Sequence, residues 1–360
     1  MKPYPELTRL GRLRRMRQLA TAALRGFGVE EARLQLLRQA GNTLFRVQTP
    51  DLPDPDAPEG LFEAGQFLLR VHEPGYQEPE ALDLELTWLA AMRREAQLPV
   101  PEPLAAPDGR WVLPITVPGV EGTRRCSLLR WIKGHSVKNR FGPAHLRAQG
   151  RLMARLHQFS RQWQPPAGSS KRRFDWDGLF CNDVGSGMAN ADAWALLAPP
   201  HREAFSFVAE RTREVMADWG QGADVFGLIH GDLGVDANLL FWHGEPRAID
   251  FDDSGFGYWI FDLAVALDAC RDNPAYPRYR EALLEGYAEV HALPEKHAGQ
   301  IDLFLAALEV YWNLWATGGT HLYPELLPEY RERIAQTADF VVRYARRSGC
   351  PTTIDIAAID

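Results

Sequence analysis

One polar loop and the hairpin after it are the most informative part of this chain: Leu228-Ile229-His230-Gly231-Asp232-Leu233-Gly234-Val235-Asp236-Ala237-Asn238-Leu239-Leu240-Phe241, and then Ala248-Ile249-Asp250-Phe251-Asp252-Asp253. The pattern predicts strands at 238–242 and 247–251 joined by a turn at 243–246. Phosphoryl transfer from a nucleotide requires a carboxylate that accepts a proton. It also requires amide and carboxylate oxygens that bind a hard cation, and this stretch contains both kinds of group. Apolar runs beside each polar cluster argue against a simple acidic surface turn.

These residues resemble the aminoglycoside phosphotransferase and choline kinase-like family, small-molecule relatives of protein kinases. The family's loop runs His-Gly-Asp-Leu-His-Pro-x-Asn and is followed by Ile-Asp-Phe. Residues 255–264 are similar to its Gly-x-x-x-x-Asp-Leu-Ala motif. The resemblance implies that Asp232 is the catalytic base and that Asn238 and Asp250 are magnesium ligands. It also implies that His230 and Asp262 support the loop, Asp262 through the loop's backbone amides.

The loop departs from the family pattern in two ways. One residue more than in the family separates Asp232 from Asn238, so we expect a bulge within 234–237. We expect the bulge to form there because Gly234 tolerates a positive φ, with Asp236 as an alternative metal ligand that otherwise points to solvent. Gly234 also stands where relatives have a histidine, so another cation or a second Mg²⁺ must neutralise the phosphates.

Upstream segments have the pattern of a nucleotide site. Strand patterns at 34–37 and 43–47 flank a turn around Gly41 and Asn42, whose amides can cover phosphates. A third strand pattern at 66–71 carries Arg70, and the helical stretch 79–94 carries Glu85. We expect Arg70 and Glu85 to pair, with Arg70 directed at the nucleotide phosphates.

The run 126–134, with Leu129 and Trp131, is similar to the family's strand into the hinge, whose backbone would bond adenine. With a strand at 111–114 this makes five strands and one main helix before the break at Gly134. The predicted fold is therefore α+β and protein-kinase-like with two lobes. Residues 1–131 form an antiparallel nucleotide-binding N-lobe with an amphipathic N-terminal helix docked on it, and 132–360 form a helical C-lobe that carries the catalytic loop and substrate pocket.

Helical spacing recurs through the predicted C-lobe, and His157 lies on an apolar helix face, where it is expected to be a hydrogen-bonded core residue. Segment 164–192 lacks helical spacing and is expected to be a long loop with one short helix. In the predicted N-lobe, segment 50–65 is expected to be an acidic hairpin loop. Helices are predicted at 146–159, 194–219, 258–272, 279–291, 296–315 and 324–348.

Composition excludes several classes of protein. A net charge of −7 and a pI near 5.8 argue against nucleic-acid binding. No run of about 18 apolar residues is present, as a membrane span would need, and the N-terminal segment lacks a signal-peptide core. The four cysteines are scattered, without the spacing of a zinc site. We therefore expect a cytoplasmic protein with reduced thiols and no nucleic-acid or membrane partner.

The predicted function is ATP- and Mg²⁺-dependent transfer of the γ-phosphoryl group to a small-molecule hydroxyl, of an amino-alcohol, homoserine, a sugar or an aminoglycoside-like compound. A protein Ser/Thr kinase and a non-catalytic nucleotide-binding module are the alternatives. Acids beside aromatic side chains would suit a cationic amino-alcohol, although aromatics at helical spacing are more often core residues. The acids are Asp252, Asp253, Asp268 and Asp272, and the aromatics are Tyr258, Trp259, Tyr311, Trp312 and Trp315.

Overall fold

The computed structural model describes residues 4–39, 41–52, 60–138, 140–181, 188–322 and 327–350. Part of the predicted acidic loop (53–59), part of the long loop (182–187) and the predicted start of the last helix (324–326) lie outside these ranges. None of the helices in the described part of the chain is long and apolar enough to cross a membrane.

The structure alternates strands and helices, and the predicted α+β class is confirmed. The strands are β1 (Arg33–Gln39), β2 (Thr43–Gln48), β3 (Phe62–Val71), β4 (Pro103–Leu104), β5 (Val112–Ile115), β6 (Arg124–Ile132), β7 (Arg173–Phe174), β8 (Phe226–Ile229), β9 (Leu239–Trp242), β10 (Glu245–Ala248) and β11 (Gly255–Tyr258). The helices are α1 (Arg9–Gly26), α2 (Pro79–Ala96), α3 (Pro143–Gln162), α4 (Trp176–Phe180), α5 (Asn190–Leu196), α6 (Pro199–Trp219), α7 (Trp259–Leu267), α8 (Tyr276–Ala288), α9 (Glu295–Ala298), α10 (Ile301–Leu322) and α11 (Leu327–Arg347).

The first compact unit comprises the described residues of Met1–Ser136, Pro165–Lys171 and Leu239–Asp252. Its antiparallel sheet has the order β1-β2-β3-β6-β4, with β5 also paired to β6. The sequence predicted five strands here, and β4 was missed because a two-residue strand inside a proline-rich segment has no alternation to detect. The apolar face of α1, with Leu19 and Ala23, is buried against the same core as Phe45 and Leu69, as predicted for the N-terminal helix.

The β9–β10 hairpin belongs to this first unit, although the sequence pattern assigned it to the helical lobe. Trp242 pairs with Glu245, so the turn contains two residues and not the four predicted. Pro246 lies within β10, because this hairpin is a separate two-stranded sheet whose edge tolerates a residue without an N–H. The predicted second strand, 247–251, was also too long, since the backbone at Asp250 has a φ of 65°.

The second unit comprises the described residues of Val137–Gln164, Arg172–Asn238 and Asp253–Asp360. A three-stranded sheet of order β7-β11-β8 lies among its helices. The predicted helix 258–272 is replaced by β11, α7 and a 3₁₀ turn, and the predicted helix 194–219 is divided into α5 and α6. The break between α5 and α6 directly precedes Pro199 and Pro200, because the α conformation is disfavoured for a residue before proline.

Helices α3 and α8 approach closely in the second unit, and a glycine on each permits the contact. A Cβ atom at Gly286 would lie 1.9 Å from the carbonyl oxygen of Arg147. One at Gly150 would lie 2.1 Å from the carbonyl oxygen of Leu283. Since both obstacles are backbone atoms, neither can move aside without displacing a helix.

We expect Gly286→Ala to lower the free energy of unfolding by about 1–3 kcal/mol or more, because the added methyl group forces the two helices apart. Urea denaturation followed by circular dichroism measures this change. Gly222→Ala is the control, since a Cβ atom there has no neighbour within 4 Å. Equal stability of the two variants would contradict the packing described here.

Candidate active site

The loop that follows β8 is held by the buried carboxylate of Asp262, near the start of α7. Asp262 Oδ1 accepts a hydrogen bond from the amide of Gly231 at 2.8 Å, and Oδ2 accepts one from the amide of His230 at 3.2 Å. Burial alone would raise the pKa of Asp262, but the hydrogen bond from His157 and the charges of nearby histidines outweigh it and lower the pKa. Asp262 is therefore ionised and fixes the first two residues of the loop.

His157 of α3 lies behind this carboxylate. Its Nε2 is 3.0 Å from Asp262 Oδ2, its Nδ1 is 2.9 Å from the hydroxyl of Tyr287, and its ring stacks on Trp259. Each ring nitrogen thus has a buried partner. The prediction of a hydrogen-bonded core histidine is confirmed.

Three further contacts hold the rest of the loop. His230 Nδ1 accepts a hydrogen bond from the amide of Asp232, and Gln149 of α3 donates to the carbonyl oxygen of Leu233 at 2.7 Å. Asn238 Nδ2 donates to both the backbone oxygen and Oδ2 of Asp232, at 2.9 and 2.7 Å. The loop therefore brings Asp232 and Asn238 together despite the extra residue.

The bulge at 234–237 has a different backbone from the one expected. The positive φ falls at Asn238, at 56°, and Gly234 is not among the residues with positive φ. Gly234 is instead close to the loop's own atoms, since a Cβ there would lie 3.3 Å from Asp236 Oδ1. Asp236 is exposed to solvent, although partial desolvation by surrounding atoms, together with the charge of Asp268, raises the pKa of its carboxyl group.

In the first unit, Arg70 of β3 and Glu85 of α2 form a buried ion pair. Arg70 Nη1 lies 2.7 Å from Glu85 Oε1, and Arg70 Nη2 lies 3.7 Å from Asp250 Oδ1. Burial would raise the pKa of Glu85, but the charges of Arg70 and Lys171 outweigh it and lower the pKa to about 2. The predicted pairing is present, and it extends to Asp250.

Asp250 lies in a tight turn with Phe251 and Asp252. Asn42 Nδ2 donates to Asp252 Oδ2 at 3.1 Å, and Gln77 donates to the Asp252 carbonyl oxygen. Burial and the neighbouring Asp252 carboxylate raise the pKa of Asp250 to about 6. An ionised Asp250 therefore needs positive charge beside it, which Arg70 supplies in part.

The other predicted nucleotide-contacting residues lie in the same unit. Gly41 and Asn42 directly precede β2, and the Asn42 amide is tied to Asp252 and to the amide of Glu73. Leu129 is buried in the sheet between Leu68 and Pro103. Trp131 lies near the end of β6, with the guanidinium of Arg46 over its ring at 4.5 Å.

Most of the acids and aromatics proposed for the acceptor pocket have other partners in the second unit. Asp268 pairs with Arg271 at 2.6 Å and Arg333 at 3.2 Å, and Asp272 pairs with Arg343 at 2.6 Å. Three of the aromatics are buried core side chains: Tyr258, Trp259 and Tyr311. Asp253 is paired with Arg172 at 2.7 Å but remains a quarter exposed.

The sequence analysis missed two buried polar residues, Gln149 and Lys171. Gln149 lies on the apolar face of α3, three residues from both Leu146 and Leu152, which is a detectable pattern. Lys171 lies in a segment without periodicity, and its contacts with Glu85 and the Phe251 carbonyl could not be inferred from spacing.

The chain is similar to known proteins both in sequence and in fold. The model of a family described as the phosphotransferase enzyme family matches residues 60–299. A homoserine kinase of Acidiphilium cryptum (strain JF-5) is 25% identical over 273 residues, which cover 69% of this chain and 75% of that protein.

Two solved structures are similar over nearly the whole chain. A microcompartment-associated aminopropanol kinase has a TM-score of 0.74 and 25% identity, covering 92% of this chain and 98% of that one. Amicoumacin kinase, in complex with AMP-PNP, Ca²⁺ and Ami, has a TM-score of 0.66 and 18% identity, covering 91% of this chain and 92% of that one. The predicted protein-kinase-like fold is confirmed.

We expect Glu85→Gln to lower the free energy of unfolding by about 3–5 kcal/mol, because removal of one partner leaves buried cations without their counter-charge. The shift of the urea midpoint measures the effect. Asp108→Asn is the matched control, since Asp108 pairs with Arg110 at the exposed surface and its loss should leave the midpoint unchanged. An unchanged midpoint for Glu85→Gln would show that the buried pair does not stabilise this unit.

Proposed function

The chain belongs to the phosphotransferase enzyme family and is a kinase that acts on a small-molecule hydroxyl, and we propose that it takes the γ-phosphoryl group from ATP with Mg²⁺. The observation that carries this proposal is the pairing of Asn238 with Asp232 inside the loop held by Asp262. A fixed carboxylate with an amide beside it is the arrangement that in-line phosphoryl transfer to an alcohol requires.

We assign Asp232 the role of general base. Its amide and backbone oxygen are held by His230 and Asn238, so the carboxylate keeps one orientation. Oδ2 accepts the hydrogen bond from Asn238, which stabilises the ionised form. The carboxylate orients the acceptor hydroxyl and takes its proton as the new bond to the γ-phosphorus forms and the bond from that phosphorus to the ADP leaving group breaks.

We assign Asn238 and Asp250 as the oxygen ligands of the divalent cation. The Asn238 amide nitrogen faces a carbonyl and a carboxylate, so its own oxygen is the atom available to a cation. The described residues contain no cluster of three or more His, Cys, Asp or Glu side chains suited to a metal. A small number of protein ligands, all of them oxygen atoms, fits Mg²⁺, because this ion is usually bound by one or two carboxylates together with substrate phosphates. When bound, Mg²⁺ would neutralise the charge that develops on the phosphates.

Arg70 is proposed to bind the nucleotide phosphates. Glu85 and Asp250 hold its guanidinium at 2.7 and 3.7 Å, so its side chain keeps one orientation. An arginine presents planar donors that match phosphate oxygens. Burial would lower the pKa of Arg70, but the charges of Glu85, Asp252 and Asp250 outweigh it and raise the pKa, so Arg70 stays cationic.

We propose a small acceptor that carries an amine as well as a hydroxyl group. Aminopropanol kinase and homoserine kinase are named for such compounds, and both are similar to this chain. In the second unit, burial raises the pKa of Tyr311, and the charges of Asp253 and Asp232 raise it further while Arg172 lowers it, so both acids act on the surroundings of this one side chain. Two carboxylates against one guanidinium leave a net negative charge, which favours an ammonium group.

ATP consumption with aminopropanol, homoserine, choline, maltose and an aminoglycoside tests the acceptor class, and we expect turnover with the first two.

With the preferred acceptor, Asp232→Asn should lower kcat by about 10²–10⁴-fold, because the base is lost, while the Kd of ATP is unchanged. Asp218→Asn, at an exposed position, is the control. Wild-type turnover in Asp232→Asn would exclude this residue as the base, and labelling of protein instead of small molecules would favour the protein kinase alternative.

The ligand assignment is tested by the Mg²⁺ dependence of two alanine variants. We expect Asn238→Ala to raise the Mg²⁺ concentration for half-maximal turnover by about 10-fold or more, a penalty comparable to loss of a residue that orients a metal ligand. Asp236→Ala should leave it near the wild-type value, since its side chain is exposed. A rise for Asp236→Ala alone would reverse the assignment.

A further inference from the structure

Lys171 is a buried lysine that the proposed chemistry does not use. Its side chain is 2% exposed, and its Nζ lies 3.5 Å from Glu85 Oε2 and 3.4 Å from the carbonyl oxygen of Phe251. It ends the segment Pro165–Lys171, which belongs to the first unit although the chain on either side belongs to the second. Burial of an ammonium group costs several kcal/mol unless strong partners offset it.

Charge on Glu85 is one reason for this lysine, but its geometry points to a second role. Arg70 already makes the shorter contact with Glu85, at 2.7 Å to Oε1. Lys171 is a second cation on the same carboxylate, at the longer distance of 3.5 Å. Lys171 also contacts the carbonyl oxygen of Phe251, which follows Asp250 and lies in the turn at 250–252.

That turn is strained and is held from several sides. Asp250 has a φ of 65°, a conformation that is unfavourable for a non-glycine residue and persists only where surrounding contacts enforce it. Gln77 binds the Asp252 carbonyl, and the Phe251 ring packs edge-on against Trp88. Lys171 binds the carbonyl in the middle of the turn, directly after the proposed metal ligand.

We propose that Lys171 is a positioning residue for Asp250: by holding Glu85 and the Phe251 carbonyl, it keeps the strained turn in the conformation that presents the Asp250 carboxylate to the divalent cation. The inference rests on the proposed function, because it assumes that Asp250 is a ligand. It assigns Lys171 no contact with the nucleotide and no part in proton transfer.

The sign of the effect distinguishes positioning from simple charge. Loss of a positive charge near a cation site would by itself tighten cation binding, since like charges repel. Loss of positioning would weaken cation binding, because the ligand leaves its orientation. A Lys171→Met variant that needs more Mg²⁺ than the wild type can therefore be explained only by positioning.

Calorimetric titration of AMP-PNP into the full chain at stepped Mg²⁺ concentrations, and again with chelator, measures this without turnover. We expect Lys171→Met to raise the Mg²⁺ concentration for half-maximal tightening by about 10- to 100-fold, as loss of residues that orient metal ligands does. Its metal-free affinity for AMP-PNP should equal that of the wild type. Lys171→Arg, which can still donate to the carbonyl, should restore most of the Mg²⁺ response, and the exposed Lys296→Met should behave as wild type.

Three results would overturn the inference. An unchanged or lower Mg²⁺ requirement in Lys171→Met would leave only a charge effect, and an equal loss of affinity with and without Mg²⁺ would place Lys171 on the phosphates. Failure of the Lys171→Arg variant to restore the Mg²⁺ response would also overturn the inference. If Lys171→Met does not fold, Lys171→Gln, which keeps an amide donor, takes its place with the same outcomes. A wild type that shows no Mg²⁺-dependent binding would instead refute the proposed function, so the two failures are distinguishable.

Discussion

The Asp262 carboxylate is the constraint on which the proposed catalytic loop, residues 230–238, depends. The amides of His230 and Gly231 lie just beyond β8 in buried residues, and buried amides need an acceptor. Asp262 supplies both oxygens and is itself held by His157. The conformation of the loop up to Asp232 therefore follows from one ionised side chain on another element.

Backbone strain occurs at both proposed metal ligands. Asn238 and Asp250 are non-glycine residues with φ of 56° and 65°. Such conformations persist where neighbouring contacts enforce them and are concentrated at functional positions. At Asn238 the enforcing contacts are two hydrogen bonds to Asp232, and at Asp250 they are the contacts of the turn that follows it. The strain thus places amide and carboxylate oxygens where ordinary loop conformations would not.

The accuracy of the sequence analysis depended on the distance over which each feature is encoded. The Arg70–Glu85 pair was predictable because two regular elements in succession carry the two charges. The partners of Asp268 were not, since Arg333 lies 65 residues away along the chain and no periodicity relates them. Short elements escaped for a different reason: the two residues of β4 are too few to show a pattern.

The amino-acid sequence alone predicted the α+β class and the groups proposed for the catalytic loop, because residue types and their local spacing encode these. The tertiary structure alone decided three features: the place of the β9–β10 hairpin in the first unit, the left-handed backbone at Asn238, and the contact between Lys171 and Glu85. The physical reason is that the hairpin and Lys171 depend on packing between segments far apart in the chain, and the backbone at Asn238 depends on hydrogen bonds that form only in the folded loop. Lys171 lies 86 residues from Glu85, and only the folded path brings an ammonium group to a carboxylate over that separation.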